Sequence, residues 1–148
     1  MLRSNEVPYK SLAKYPGMRP KDVAIWDQFI IDYPHAFERV MYNVHLGDPV
    51  RVGDDKEDMV KSGMFDVSRW CIDVLADDGT HLWAIEIKPD AAASAIGQAL
   101  AYAALVTQEF GLPTKVLPLV ITDEIAPITQ QAANLLGVRI KSPIPKSR

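Results

Sequence analysis

One cysteine, Cys71, stands among the 148 residues, so the chain has no internal disulfide and no thiol cluster for a structural zinc. No apolar run approaches the roughly 18 residues of a membrane span, and the first twenty residues lack the apolar stretch of a secretory signal. These absences predict a cytoplasmic protein with no membrane partner. His35, His45 and His81 share no metal-ligand spacing, although His45 is within reach of a site built around the first strand. No glycine-rich loop follows any candidate strand, which argues against a nucleotide-binding α/β domain.

What is present is an average globular composition, 48% apolar and 24% charged. A chain of this length buries roughly 70% of the surface exposed when unfolded, enough for one core without covalent staples. The net charge of −3 hides an uneven distribution. Residues 1–21 carry five basic groups against Glu6 alone, and residues 138–148 carry four with no acid. The intervening stretch has a balance of −11. Basic ends around an acidic body suit phosphate contacts beside a cation-binding centre, although solvated tails have the same composition.

Residues 1–20, with Pro8, Pro16, Gly17 and Pro20, are expected to form a basic arm. A single domain is expected over 21–141, followed by a basic tail over 142–148. Val23, Trp26, Phe29, Ile30 and Tyr33 recur at helical spacing over 21–33, before Pro34. Residues 37–46 alternate as a strand, with Phe37, Arg39, Met41, Asn43 and His45 on one face. The polar stretch 47–68 is expected to be a mobile loop with a short helical turn opened by Asp54 or Asp55.

Residues 69–76 and 81–88 are apolar enough for strands covered on both faces, joined by a tight turn over 77–80. Pro89 ends the second strand, and Asp90 is expected to cap an alanine-rich helix over 91–110. A strand over 115–121 follows. Thr122 or Asp123 is then expected to cap a helix reaching Leu136, before a last strand over 138–141. The order is α-β-β-β-α-β-α-β, an α/β fold with a central mixed sheet flanked by helices.

Three charges interrupt the two most apolar strands: Asp73 in one, Glu86 and Lys88 in the other. A two-residue Asp78-Gly79 turn pairs Asp73 with Ala84 and leaves Glu86 diagonal to Asp73 on one face. Diagonal neighbours lie roughly 7–8 Å apart, close enough to share a cation. The period of two adds Lys88 to that face and leaves Ile72, Val74, Trp83, Ile85 and Ile87 as core. Two buried carboxylates side by side are costly without a positive charge between them. Oxygen ligands favour Mg2+ or Mn2+, and an incomplete set leaves room for water and a phosphate. An acid two residues before a lysine arises by chance about once in such a chain, and Asp54-Asp55-Lys56 is another instance. Only Glu86-Ile87-Lys88 ends an apolar strand with a second acid across the hairpin.

Ile72-Asp73, Ile85-Glu86-Ile87-Lys88 and Gln98-Ala99-Leu100-Ala101-Tyr102 together resemble the PD-(D/E)XK nuclease superfamily, the restriction-endonuclease-like fold. The Q-x-x-x-Y element is similar to that of recombination nucleases and phage-type exonucleases. The resemblance covers residues 20–141 by element order. It implies a divalent-metal-dependent nuclease hydrolysing phosphodiester bonds, DNA favoured over RNA, and acting in recombination or repair. Asp73, Glu86 and the Ile87 carbonyl are then metal ligands, Lys88 assists the attacking water, and Gln98 and Tyr102 support the site or touch the nucleic acid. The same resemblance makes a homodimer plausible. Asp22, Asp27 and Glu38 all lie in or near the first helix, and no motif selects among them as a further acid. The competing reading is a catalytically inactive nucleic-acid-binding or assembly module that keeps the fold, with Glu86 and Lys88 as a structural ion pair.

Overall fold

Six strands form one sheet in sequential order, β1 (Val7–Pro8), β2 (Arg39–Leu46), β3 (Trp70–Asp77), β4 (Leu82–Ile87), β5 (Leu117–Ile121) and β6 (Arg139–Lys141). The computed structural model describes residues 6–46 and 70–143. The loop over 47–68, its turn at Asp54 or Asp55, and the tail beyond 143 lie outside the described residues. Strands β1 to β4 pair antiparallel, and β4–β5 and β5–β6 pair parallel. Apart from the short β1, the order is the expected one. The two parallel connections carry helices α2 (Ala93–Glu109) and α3 (Pro127–Leu136).

Helix α1 (Pro20–Asp32) opens on Pro20, whose fixed φ and missing N–H suit a first turn. It covers one face of the sheet with Ile25, Trp26, Phe29 and Ile30, packed on Val40, Val74, Ile85, Ile87, Leu119 and Ile121. Trp26 is fully buried, stacks on Phe29 and donates its indole N–H to the Tyr42 hydroxyl at 3.0 Å. Tyr9 and Tyr15, from the segment before α1, are buried in this cluster. On the opposite face the small residues Ala95, Ala99 and Ala103 let α2 lie close to the strands. Its C-terminal half meets Ile72, Leu75 and Ala84, and its N-terminal half meets Val120 and, through Ala133, helix α3.

Strand β2 departs from strict alternation. Val40 and Tyr42 face α1, whereas Met41, Val44 and Leu46 all face α2. The break falls at Asn43, whose φ is +54°, and the β2–β3 ladder skips the Asn43–Asp73 rung. Ile72 consequently packs with Leu75 and Ala84 and does not join Val74, Ile85 and Ile87 as the expected parity required. A left-handed residue reverses the pleat, and asparagine tolerates that conformation better than most side chains.

The expected helix caps differ too. Helix α2 begins after Ala92 and α3 after Ala126, neither with a side-chain cap. Asp123 Oδ1 instead accepts the backbone N–H groups of Asp90 and Glu124, at 2.7 and 2.8 Å. The buried Thr122 hydroxyl accepts from the Ala91 N–H and donates to the Glu124 carbonyl, at 3.0 and 2.9 Å. These side chains clamp the end of β5 to the segment leaving β4. That places the exit of β4 rigidly against its neighbour, where Lys88 emerges.

Candidate active site

The hairpin between β3 and β4 has a four-residue turn, Asp78–His81, closed by an Asp78 N–H bond to the His81 carbonyl at 3.1 Å. The Asp78 carboxylate binds the turn from inside, accepting from the Thr80 and His81 N–H groups and from the Trp83 indole. Asp77 therefore pairs with Leu82 and Leu75 with Ala84. The register is two residues away from the expected one. An even shift keeps the expected facing from Val74 to Asp77, and Asp73, at the pleat reversal, falls one rung beyond Val74–Ile85, level with Glu86 and in electrostatic contact with it.

At that rung a side chain replaces the ladder. The Ile87 N–H donates to Asp73 Oδ2 at 2.9 Å. The Asp73 and Glu86 carboxyls approach closely enough that a proton held by one can be shared with the other. Burial is the largest influence on both and raises both pKa values. For Glu86 the neighbouring Asp73 charge adds to the rise, and for Asp73 the Ile87 N–H opposes it. Glu86 Oε2 is buried with no hydrogen-bond partner. An orphaned carboxylate oxygen is costly and marks a place where a cation or proton belongs.

Lys88 and Asp22 act on this pair, and the pair acts on Tyr102 and Cys71. Lys88 is exposed at the end of β4, and its charge lowers the pKa values of Asp73, Glu86 and Asp22. Asp22, in the first turn of α1, raises those of Asp73 and Glu86. Its own pKa is raised by burial, against the charges of Arg19 and Lys88. Tyr102 on α2 is pushed up to about 12, by burial first and then by the charges of Glu86 and Asp73, so its hydroxyl stays protonated. Cys71 rises to about 11 for the same reasons and donates its thiol to Asn43 Oδ1 at 2.7 Å.

Asp73, Glu86, Ile87, Lys88 and Tyr102 thus converge. Gln98 is exposed on α2 one turn before Tyr102, and no hydrogen bond joins it to either carboxylate among the described residues. Asp22 is the acid that no motif selected. Its signal was position alone, a first-turn acid beside Val23. Asp27 is held by the Tyr15 hydroxyl, and Glu38 lies beside Gly79 at the far end of the hairpin. His45 is exposed.

Among the described residues, no three His, Cys, Asp or Glu side chains close on one point as a complete metal cage. The donor set is two carboxylates, with the Ile87 carbonyl available beside them. That suits an oxygen-preferring cation that retains water and takes substrate oxygens, and the unpartnered Glu86 Oε2 supplies a free ligand atom.

No family model and no curated protein matches the sequence. Among solved structures, the chain is similar to a repair endonuclease from Pyrococcus abyssi, with a TM-score of 0.51 and 14% identity over 90% of this chain and 50% of that one. It is also similar to EndoMS in complex with double-stranded DNA, with a TM-score of 0.47 and 17% identity over 93% of this chain and 49% of that one. The chain spans about half the length of each. With the Pyrococcus abyssi endonuclease it shares a fold.

Proposed function

We propose that the chain is a divalent-metal-dependent nuclease of the PD-(D/E)XK type, acting on DNA. The observation that carries this reading is the unpartnered Glu86 Oε2 beside Asp73, at the end of an otherwise apolar strand and followed by Lys88. The fold likeness to a protein named as a repair endonuclease supports it.

In this reading Asp73, Glu86 and the Ile87 carbonyl would hold Mg2+ or Mn2+. The cation, when bound, polarises the scissile phosphate and lowers the pKa of water. Asp73 is oriented by the Ile87 N–H on Oδ2, which leaves Oδ1 as its candidate ligand atom. Lys88, exposed beside the carboxylates, orients the attacking water and stabilises negative charge developing on the phosphate. Asp22 adds negative charge at the rim, strengthening cation retention. The Tyr102 hydroxyl, protonated at neutral pH, is a donor towards Glu86 or a phosphate oxygen.

The test uses linear, circular and branched DNA with Mg2+, Mn2+ or a chelator. Cleavage is expected with either metal and none with chelator. Glu86→Ala and Lys88→Ala should each reduce the rate by at least ~100-fold, within the range for groups acting on the reacting atoms. DNA binding without cleavage under every metal condition would replace this reading with the inactive binding module.

A further inference from the structure

The flank of α1 facing the parallel half of the sheet carries two cavities that the catalytic reading does not use. The first, of about 510 Å³, is lined by Lys21, Ile25, Gln28, Pro89, Asp123 and Pro143. It adjoins the candidate site on two sides, since Pro89 follows Lys88 and Lys21 precedes Asp22. The second, of about 170 Å³, lies further along the same helix between Phe29, Phe37, Trp83, Arg139 and Lys141. Residues Lys21, Ile25 and Gln28 fall at successive turns of α1, so they form one stripe, and Phe29 continues it towards β6.

The charges along this flank are unevenly committed. Lys21, Arg139 and Lys141 pair with no carboxylate among the described residues. Arg139 stands over the Trp83 ring at 5.1 Å from its centroid, and Lys141 over the Tyr33 ring at 5.0 Å. The neighbouring acids are occupied: Asp123 by the Asp90 and Glu124 N–H groups, and Asp78 by its turn and the Trp83 indole. Parity explains why both β6 cations lie on this side. Leu119 and Ile121 face α1, and Arg139 and Lys141 are their register partners. A row of cations without carboxylate partners, set beside apolar-walled cavities, fits a polyanion that also presents flat apolar faces, which is the chemistry of a nucleic-acid strand.

We infer that a nucleic-acid strand leaving the scissile site runs along this flank of α1, with Lys21 at the first phosphate and Lys141 and Arg139 at those that follow. Only the position of the strand's scissile end rests on the nuclease reading. Gln28, whose Nε2 donates to Asp32 Oδ1 at 2.9 Å, keeps its carbonyl oxygen for a base edge in the first cavity, and Pro89, Ile25 and Pro143 supply its apolar walls.

The experiment measures binding of a fluorescein-labelled short single strand and duplex by anisotropy across a salt titration, with Ca2+ and again with chelator. The paired substitution Arg139→Gln, Lys141→Gln should reduce the slope of log affinity against log salt by about 1.4 for the single strand and about 1.8 for the duplex. Lys21→Gln should reduce it by about half as much. Lys115→Gln removes one charge at an exposed position outside the track and the basic ends, matching Lys21→Gln, and should leave the slope unchanged. Arg139→Lys with Lys141→Arg should restore it, which separates lost charge from lost packing on Trp83 and Tyr33. A slope loss in Lys115→Gln equal to that in Lys21→Gln, or no binding of either nucleic acid by the unmodified chain, overturns the proposal. Cleavage with an unchanged slope in the paired variant also overturns it and leaves the nuclease reading standing. A slope loss in a chain that cleaves nothing sustains the track and removes the nuclease reading.

Discussion

Position 86 would suit isoleucine or valine: β4 is otherwise Leu82, Trp83, Ala84, Ile85 and Ile87, and its neighbours across the sheet are buried. A carboxyl there is held protonated by burial and by Asp73, and this has a definite consequence for stability. With folded-state pKa values above the unfolded ones, the folded chain binds more protons, so stability falls as pH rises. The contribution is full below about pH 4, where the unfolded carboxyls titrate. It is lost as pH rises towards about 8, where Glu86 gives up its proton. Thermal unfolding of the metal-free chain should therefore show Tm decreasing across that window. Glu86→Gln should flatten the decrease, and Mg2+ or Mn2+ should reverse it at its alkaline end by taking the proton's place. A Tm that rises with pH in the metal-free chain, or that Glu86→Gln leaves equally steep, contradicts the buried shared-proton arrangement. The closeness of Asp73 and Glu86 was legible from the hairpin, although the expected register set Glu86 diagonal to Asp73 and a two-residue slip brings it level. The slip itself was not, since Asp78 makes four hydrogen bonds within the hairpin and so stabilises a turn longer than Asp-Gly alone requires. Asp22 was hidden for another reason: its approach to the pair depends on how α1 crosses the sheet, which periodicity does not encode.

At the level of elements, the placement of Asp73 depends on the pleat reversal at Asn43, and that reversal is held from the preceding segment. An added Cβ at Gly17 would lie 2.5–2.6 Å from the Asn43 carboxamide, and Gly17 itself has φ +70°. Gly17→Ala should thus cost about 1–3 kcal/mol through backbone strain and the forced shift of Asn43. It should also weaken cation binding at Asp73, read by calorimetry with Mn2+. Destabilisation with unchanged cation affinity would show that the reversal does not control the carboxylate. Thr122→Val tests the second clamp. Removing the hydroxyl leaves the Ala91 N–H buried without its acceptor, a loss of about 1–3 kcal/mol seen as a lower denaturation midpoint. The helices and strands were legible from their periods and from Pro20, Pro34 and Pro89. The caps were not. Asp90, Thr122 and Asp123 have the right chemistry for capping, but the parallel pairing of β4 with β5 brings other backbone donors within reach first.

Across the whole molecule, the site sits where the sheet changes character, on the strand paired antiparallel on one side and parallel on the other. The middle of the sheet is covered on both faces by α1 and α2, whereas the β6 edge has thin cover. Helix α3 buries Ala133 alone, leaves Leu135 81% exposed, and packs beside a three-residue strand. Amide exchange should accordingly divide the chain into two units. The N–H groups of Val74, Leu75 and Ile85 should exchange only by global unfolding, and those of α3 and β6 by a smaller opening of lower free energy. Because Arg139 and Lys141 lie on the weakly held unit, DNA binding should slow exchange in β6 and α3 more than in β3. Divalent cation alone should slow it at Ile87, whose N–H is held by the Asp73 carboxylate. The two ligands therefore leave distinct footprints on one chain. Identical protection patterns from cation and DNA would mean that the edge and the carboxylate site respond as one cooperative body, and that the sheet has no weak edge for a strand to order.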